Sequence, residues 1–357
     1  MSDLGQKYSG GGFSASREKT RQSNLELLRI VSMFLVLLIH YIPTRTTPSF
    51  ETLHTDTLGT LFNMELRSIA KVCVNCFILI SGYFGIKWRG RSICSLLFQV
   101  LFWVVAGYLI GTLTGIYEQG SLVFIKKQLV FWSSRWFLPA YLALYLVAPL
   151  INAFVEQCDE KRLWRYILVF YTVSTLYGYC MVSQEFNEGM SMISLMGLYL
   201  IGRYIGRFEK RWMQFNKYVD LSIYFGLGFL LVAINTVTLL CGIASSPYGY
   251  LNPVVIVQSV YLFLFFKKLD VGSSRVVNFI AASSFAAYLF QTHICIDGFY
   301  LDTCHWINDN CSAAFMVALG FIVAVFAAAV MVDRVRIWLF NIFEKTVQSL
   351  SLRNGRA

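Results

Sequence analysis

Long apolar runs recur along the chain with short polar loops between them. Ten stand out, at about 27–42, 66–86, 93–117, 135–155, 163–181, 190–206, 218–242, 252–266, 276–297 and 313–332. A helix crosses a bilayer's hydrocarbon core with about 20 apolar residues. A spanning β-barrel would instead alternate apolar and polar positions and need many turns. The pattern therefore predicts an all-α fold: a polytopic helical membrane protein of about ten spans. The eighth run is short and opens at Asn252-Pro253, a helix-start signal. Beyond Asp333, Val335, Trp338, Leu339, Ile342, Phe343 and Val347 recur at helical spacing. The segment 333–357 is thus expected to be a basic amphipathic helix on the membrane surface. Residues 1–23 are polar and rich in Gly and Ser, the composition of a flexible tail. No small-residue cleavage site follows the first apolar run, so that run is expected to stay as a span. Residues 24–332 then make one membrane domain. No internal repeat is visible, which counts against an inverted-repeat transporter.

Composition narrows the classes. Of 357 residues, 57% are hydrophobic and 14% charged, against about half and a quarter in soluble domains. A disordered chain, a disulfide-stapled mini-protein and a soluble two-domain enzyme are excluded. The net charge of +10 would suggest nucleic acid in a soluble protein. Here the basic residues sit in alternate loops, 21 on one side of the predicted spans and three on the other. That is the positive-inside pattern. It predicts both termini in the cytoplasm, the lipid bilayer as partner, and no nucleic acid. The nine cysteines lie mostly inside apolar runs and read as small buried hydrophobes. Cys73-x-x-Cys76 has no companion pair, so no metal is expected there. Cys304 and Cys311 flank the last outer loop, where a disulfide would be chemically permitted.

Ionisable groups inside a membrane domain mark candidate chemistry. The first run holds two, Arg29 and His40, eleven positions apart. At about 100° per residue that separation runs about 20° past three full turns. Both side chains leave nearly one helix face, about 16 Å apart along the axis. A permanent cation at one depth and a titratable imidazole at another would suit a reaction with one substrate on each side. The competing reading leaves Arg29 snorkelling to headgroups and His40 as an interfacial residue.

The stretch Asn24-x-Glu26-x-x-Arg29-x10-His40 resembles the start of the membrane-bound acyltransferase-3 family of bacteria. Three further segments follow in the family's order. Val74–Phe84 ends in Ser81-Gly82-Tyr83. Trp136-Phe137-Leu138 precedes Tyr145 and Pro149. Ser284-x-x-x-Tyr288-Leu289 resembles the late Ser-x-x-x-Tyr-Leu element. Two features depart from the pattern. Lys87-Trp-Arg89-Gly-Arg91 stands where Arg-x-x-Arg is common, and Gln291, with His293 two residues on, stands where a histidine is common. Neither Gln291 nor His293 is assigned a catalytic role.

The resemblance implies an O-acyltransferase of the plasma (inner) membrane with no bound cofactor. Its donor would be cytoplasmic acyl-CoA, usually acetyl-CoA. Its acceptor would be a hydroxyl of a glycan or lipid-linked sugar. His40 would be the general base, acting with Arg29. Lys87, Arg89 and Arg91 would meet the anionic CoA, unless their charge serves topology alone. Ser81, Arg67 and Trp136 carry either acceptor-binding or packing roles. The alternative from another class is a transporter or flippase for a lipid-linked glycan. A lipid-donor transacylase is a third option.

Overall fold

The computed structural model describes residues 22–354, except 46, 119, 135, 182 and 244–246. Most of the expected tail, residues 1–21, lies outside the described residues. Its last residue does not behave as tail. Ser23 opens the first helix, takes a hydrogen bond from the Ser274 amide at 2.9 Å and donates to Asn278 Oδ1 at 3.2 Å.

Among the described residues the chain forms helices and no strands. They are α1 (Ser23–Tyr41), α2 (Phe50–Thr55), α3 (Thr57–Lys71), α4 (Cys73–Phe84), α5 (Gly90–Leu113), α6 (Ser121–Ser134), α7 (Phe137–Gln157), α8 (Glu160–Val173), α9 (Met192–Arg207), α10 (Lys217–Leu240), α11 (Pro253–Lys267), α12 (Arg275–Ala281), α13 (Ser284–Gln291), α14 (Asp297–Asn310) and α15 (Ala314–Asn354). Helix α8 runs on into a π-helical stretch, Ser174–Cys180. The all-α, membrane-spanning class holds. Helices α5, α7, α10 and α15, with α1 and the 3-10 turn after it, are long and apolar enough to cross a bilayer. Helix α11 is apolar but shorter.

Side-chain caps set several boundaries. Asn252 Oδ1 accepts from the Val254 amide at 2.8 Å, and Pro253 follows at the first helical position of α11. Asp159 caps α8 through the Arg162 amide at 2.7 Å. Helix α4 ends at Gly85, whose φ of +71° is open to glycine without strain.

Three of the expected spans are interrupted. The run 66–86 is split at Val72 into α3 and α4, 163–181 changes to π-helix at Ser174, and 276–297 is split at Ala282-Ser283 into α12 and α13. The last expected span and the amphipathic segment form one 41-residue helix, α15. No glycine or proline stands between Asp333 and Leu350 to stop it, and an Asp333–Arg336 ion pair, i to i+3, spans the junction.

Helix α1 is the centre of the bundle. Its apolar window is 61% buried, against 22% for α5 and α10, whose Leu101, Val105, Leu109, Phe229 and Leu230 stay exposed. That leaves α5 and α10 as lipid-facing helices. Helix α1 packs against α3, α4, α11, α12, α13, α14 and α15. The α4–α9 crossing is the most extensive in the bundle. Gly82 and Gly202 make it possible: a Cβ on Gly82 would fall 2.3 Å from the Tyr199 carbonyl oxygen, and one on Gly202 2.5 Å from that of Leu79. Gly82 of the Ser81-Gly82 pair is therefore a packing residue.

Candidate active site

Four helices present apolar and polar positions at helical spacing to one interior. Helix α1 supplies Glu26, Arg29, Met33, Val36 and His40, a run of i+3 and i+4 steps. Helix α4 supplies Cys73, Val74, Phe77 and Ser81, α7 supplies Phe137, Tyr141 and Tyr145, and α13 supplies Ser284, Phe285 and Tyr288. These stripes enclose two cavities, one above the other.

The first cavity, of about 80 Å³, holds His40. Met33, Val36, Cys73, Val74, Phe77 and Phe137 form its apolar wall. Trp136, Tyr250 and Tyr288 complete it. His40 Nδ1 lies 2.6 Å from Oε1 of Gln291 at the end of α13. An amide oxygen only accepts, so Nδ1 carries the proton and Nε2 is the basic nitrogen. Gln291 is buried, and its Nε2 donates to Asp297 Oδ1 at 3.4 Å. The chain His40–Gln291–Asp297 thus fixes both the tautomer and the ring orientation.

The second cavity, of about 290 Å³, holds Arg29. Glu26 pairs with the guanidinium at 3.3 Å. The wall is more polar: Ser81, Ser92, Gln99, Tyr141, Tyr145 and Ser284 line it. Ser81 Oγ sits 3.4 Å from the Tyr141 hydroxyl and donates to the Phe77 carbonyl at 3.1 Å. A buried network stands behind Gln99. Asp333 accepts from Gln99 Nε2 (3.2 Å), Trp103 Nε1 (3.1 Å) and Arg336 (2.6 Å and 3.0 Å).

His40 thus faces a small, mainly apolar cavity, and Arg29 a larger and more polar one. A family model described as an acyltransferase domain matches residues 22–334. The chain belongs to the acyltransferase-3 family. No curated protein and no solved structure matches it. It is a membrane acyltransferase, and both candidate residues of α1 fall inside the matched region.

The other sequence-predicted residues of this acyltransferase take varied places. Lys87 and Arg89 are exposed in the loop after α4. That loop borders the Arg29 cavity, because the Tyr145 hydroxyl donates to the Lys87 carbonyl at 3.2 Å. Arg91 is also exposed but is held by both oxygens of Glu344 on α15, at 2.7 Å and 2.8 Å. Trp136 lines the His40 cavity and meets Tyr250 at 5.6 Å between centroids. Arg67 lies 5.7 Å from the Tyr248 ring centre and Lys71 Nζ 3.7 Å from that of Tyr250. These contacts form a cation–aromatic rim on the His40 side of the bundle. Cys73 lies on the cavity wall, while Cys76 donates weakly to the Ser259 carbonyl at 3.6 Å. Cys304 and Cys311 are separate thiols.

Gln291, the partner of His40, is a residue to which the sequence assigns no role. The signal was its place at the family's late histidine position. His293 has a different task. Its Nε2 donates to the Val104 carbonyl at 3.2 Å, and its Nδ1 accepts from the Cys295 amide at 3.2 Å. Gly107 of α5 leaves it room, since a Cβ there would fall 2.5 Å from the imidazole Cγ. One ring nitrogen closes the turn between α13 and α14, and the other ties that turn to α5.

Proposed function

We propose that this protein is an O-acyltransferase that moves an acyl group, acetyl in the first instance, from cytoplasmic acyl-CoA to a hydroxyl of a cell-envelope or exopolysaccharide sugar. One observation supports this reading above the rest: a single helix presents Arg29 to one cavity and His40 to the next. The domain responsible is the membrane domain, residues 24–332, in the plasma membrane of a bacterium with both termini cytoplasmic. The segment 333–357 follows it.

In this reading the Arg29 cavity takes the thioester end of the donor. Lys87 and Arg89 at the nearby loop meet the phosphates of CoA, while Arg29 faces the thioester end inside the cavity; Arg91 contributes less, because Glu344 occupies it. Arginine suits phosphate geometry through its planar fork of donors. The acceptor sugar enters from the outer side past Arg67, Lys71 and Trp136, whose ring offers a face for a sugar to stack on. A sugar hydroxyl is a weak nucleophile, and His40 Nε2 removes its proton as the oxygen attacks the thioester carbonyl. The C–O ester bond forms, the C–S bond breaks, and the proton passes from His40 to the departing thiolate, giving free CoA. Gln291 holds the imidazole in the productive tautomer throughout.

The test is release of free CoA from acetyl-CoA by purified protein in detergent, with a cell-envelope glycan extract as the acceptor pool. The expected result is release that needs both protein and extract and is lost in His40→Ala. A transporter of lipid-linked glycan would release none. A lipid-donor transacylase would acylate the extract without consuming the thioester.

A further inference from the structure

The two cavities end on the same side chain. Among the residues lining them, Phe77 is common to both. Phe137 and Tyr288 stand on its His40 side, Tyr141 and Phe285 on its Arg29 side. The five rings interlock. Phe77 lies 6.0 Å from Phe137 and 5.7 Å from Tyr141, both edge to face, and stacks on Phe285 at 6.2 Å. Phe137 meets Tyr288 at 5.6 Å, and Tyr288 stacks on Phe285 at 5.7 Å. Helix α1 passes this level between Arg29 and His40, with Met33 on the His40 side. Phe77 is only partly buried, whereas Cys76 and Ile78 on either side of it are fully buried. Its ring borders space both above and below.

We propose that Phe77 is the specificity-determining residue for acyl-chain length, as the partition across which the acyl group passes. This rests on the acyl-CoA reading above. A thioester held in the Arg29 cavity must bring its carbonyl to the level of this ring to meet a hydroxyl activated by His40. The tail of the acyl group then enters the His40 cavity. At about 80 Å³ it is the smaller of the two, against about 290 Å³ on the Arg29 side. An acetyl group fits that space. A longer chain meets Val36, Val74, Phe137 and the Phe77 ring itself. Close-packed aromatic walls yield little to extra methylenes. Removing the Phe77 ring would join the two cavities and give a longer chain somewhere to lie.

The experiment compares acetyl-, butyryl- and hexanoyl-CoA as donors to the same glycan extract, reading free CoA and ester formed. The proteins are wild type, Phe77→Ala, Phe77→Val and Phe77→Leu, each checked for a monodisperse elution profile. Wild type is expected to favour acetyl over hexanoyl by at least about tenfold, since each misplaced methylene costs about tenfold or more. Phe77→Ala is expected to bring the two donors within about threefold, Phe77→Val to fall between, and Phe77→Leu to keep the short-chain preference. If Phe77→Ala fails to fold, Phe77→Val is read in its place. An unchanged preference in folded, active Phe77→Ala or Phe77→Val overturns the inference, as does a wild type indifferent to chain length. A wild type that releases no CoA from any donor fails earlier, at the acyl-CoA reading itself.

Discussion

His40 and Gln291 meet at 2.6 Å across 251 positions of sequence, imidazole Nδ1 to amide oxygen. The contact ties the end of α1 to the end of α13. It also sets the tautomer of His40, because a side-chain carbonyl can only accept the Nδ1 proton.

Gln291 is therefore a positioning residue, and its loss should strike turnover rather than donor binding. Gln291→Leu is expected to lower kcat by about 10–100-fold, within the range that general-base catalysis supplies. The KM for acyl-CoA should stay unchanged. Gln291→Glu still accepts at the same place but sets a carboxylate against Asp297, so it should recover only part of the loss. A purely structural role would instead raise KM and lower thermal stability in step with kcat.

The glycine pair at the α4–α9 crossing should tolerate no methyl group. Gly82→Ala or Gly202→Ala drives a Cβ into a backbone carbonyl, and neither helix can yield at its own main chain. Overpacking of this kind costs about 2–3 kcal/mol. Thermal unfolding in detergent should show it as a lowered midpoint, with activity per folded molecule retained below that midpoint.

Asp333 and Arg336 are a buried ion pair, with side chains 0% and 6% exposed. Asp333→Ala leaves a guanidinium buried without its partner and should cost about 3–5 kcal/mol. The double replacement Asp333→Leu with Arg336→Met removes both charges and should restore part of that stability, the rest being lost because Gln99 and Trp103 keep no acceptor. Gln99 donates to Asp333 and lines the Arg29 cavity. The single variant should accordingly also raise the donor KM.

The basic loop after α4 should divide by position. Arg91→Ala breaks an exposed pair with Glu344, which is worth no more than about 1 kcal/mol, and should leave donor KM nearly unaltered. Lys87→Ala and Arg89→Ala should raise it several-fold. Added salt should raise the wild-type KM and affect these two variants less, because screening acts on the charges they have lost.

The reach of the sequence is visible in particular residues. Arg29 and His40 sit on one helix, so their common face followed from the 3.6-residue period alone. Gln291 could not be reached that way. Its link to His40 depends on how α13 packs against α1 and on a helix end at Thr292 that no glycine or proline announces. The breaks at Val72 and at Ala282-Ser283 were hidden for the same reason, inside runs that read as continuous apolar spans. Helix α6 falls outside the ten apolar runs, where Lys126-Lys127 interrupts the hydrophobicity. Phe77 has no role of its own in the Val74–Phe84 segment, since a ring shared by two cavities is a property of four helices together. Gly82 stands out in the Ser81-Gly82-Tyr83 element, but Tyr199 and Gly202 become its neighbours only through the packing of α9.

The division of labour between Arg29 and His40 is the central claim. Calorimetric titration of CoA into wild type, Arg29→Ala and His40→Ala, run beside the acetyl-transfer assay on the same preparations, tests it most directly. The account predicts that both variants lose transfer, that Arg29→Ala binds CoA at least about tenfold more weakly, a loss of roughly 1.4 kcal/mol, and that His40→Ala binds it as wild type does. Equal CoA binding by Arg29→Ala and wild type, or transfer at wild-type rate by folded His40→Ala, would contradict it.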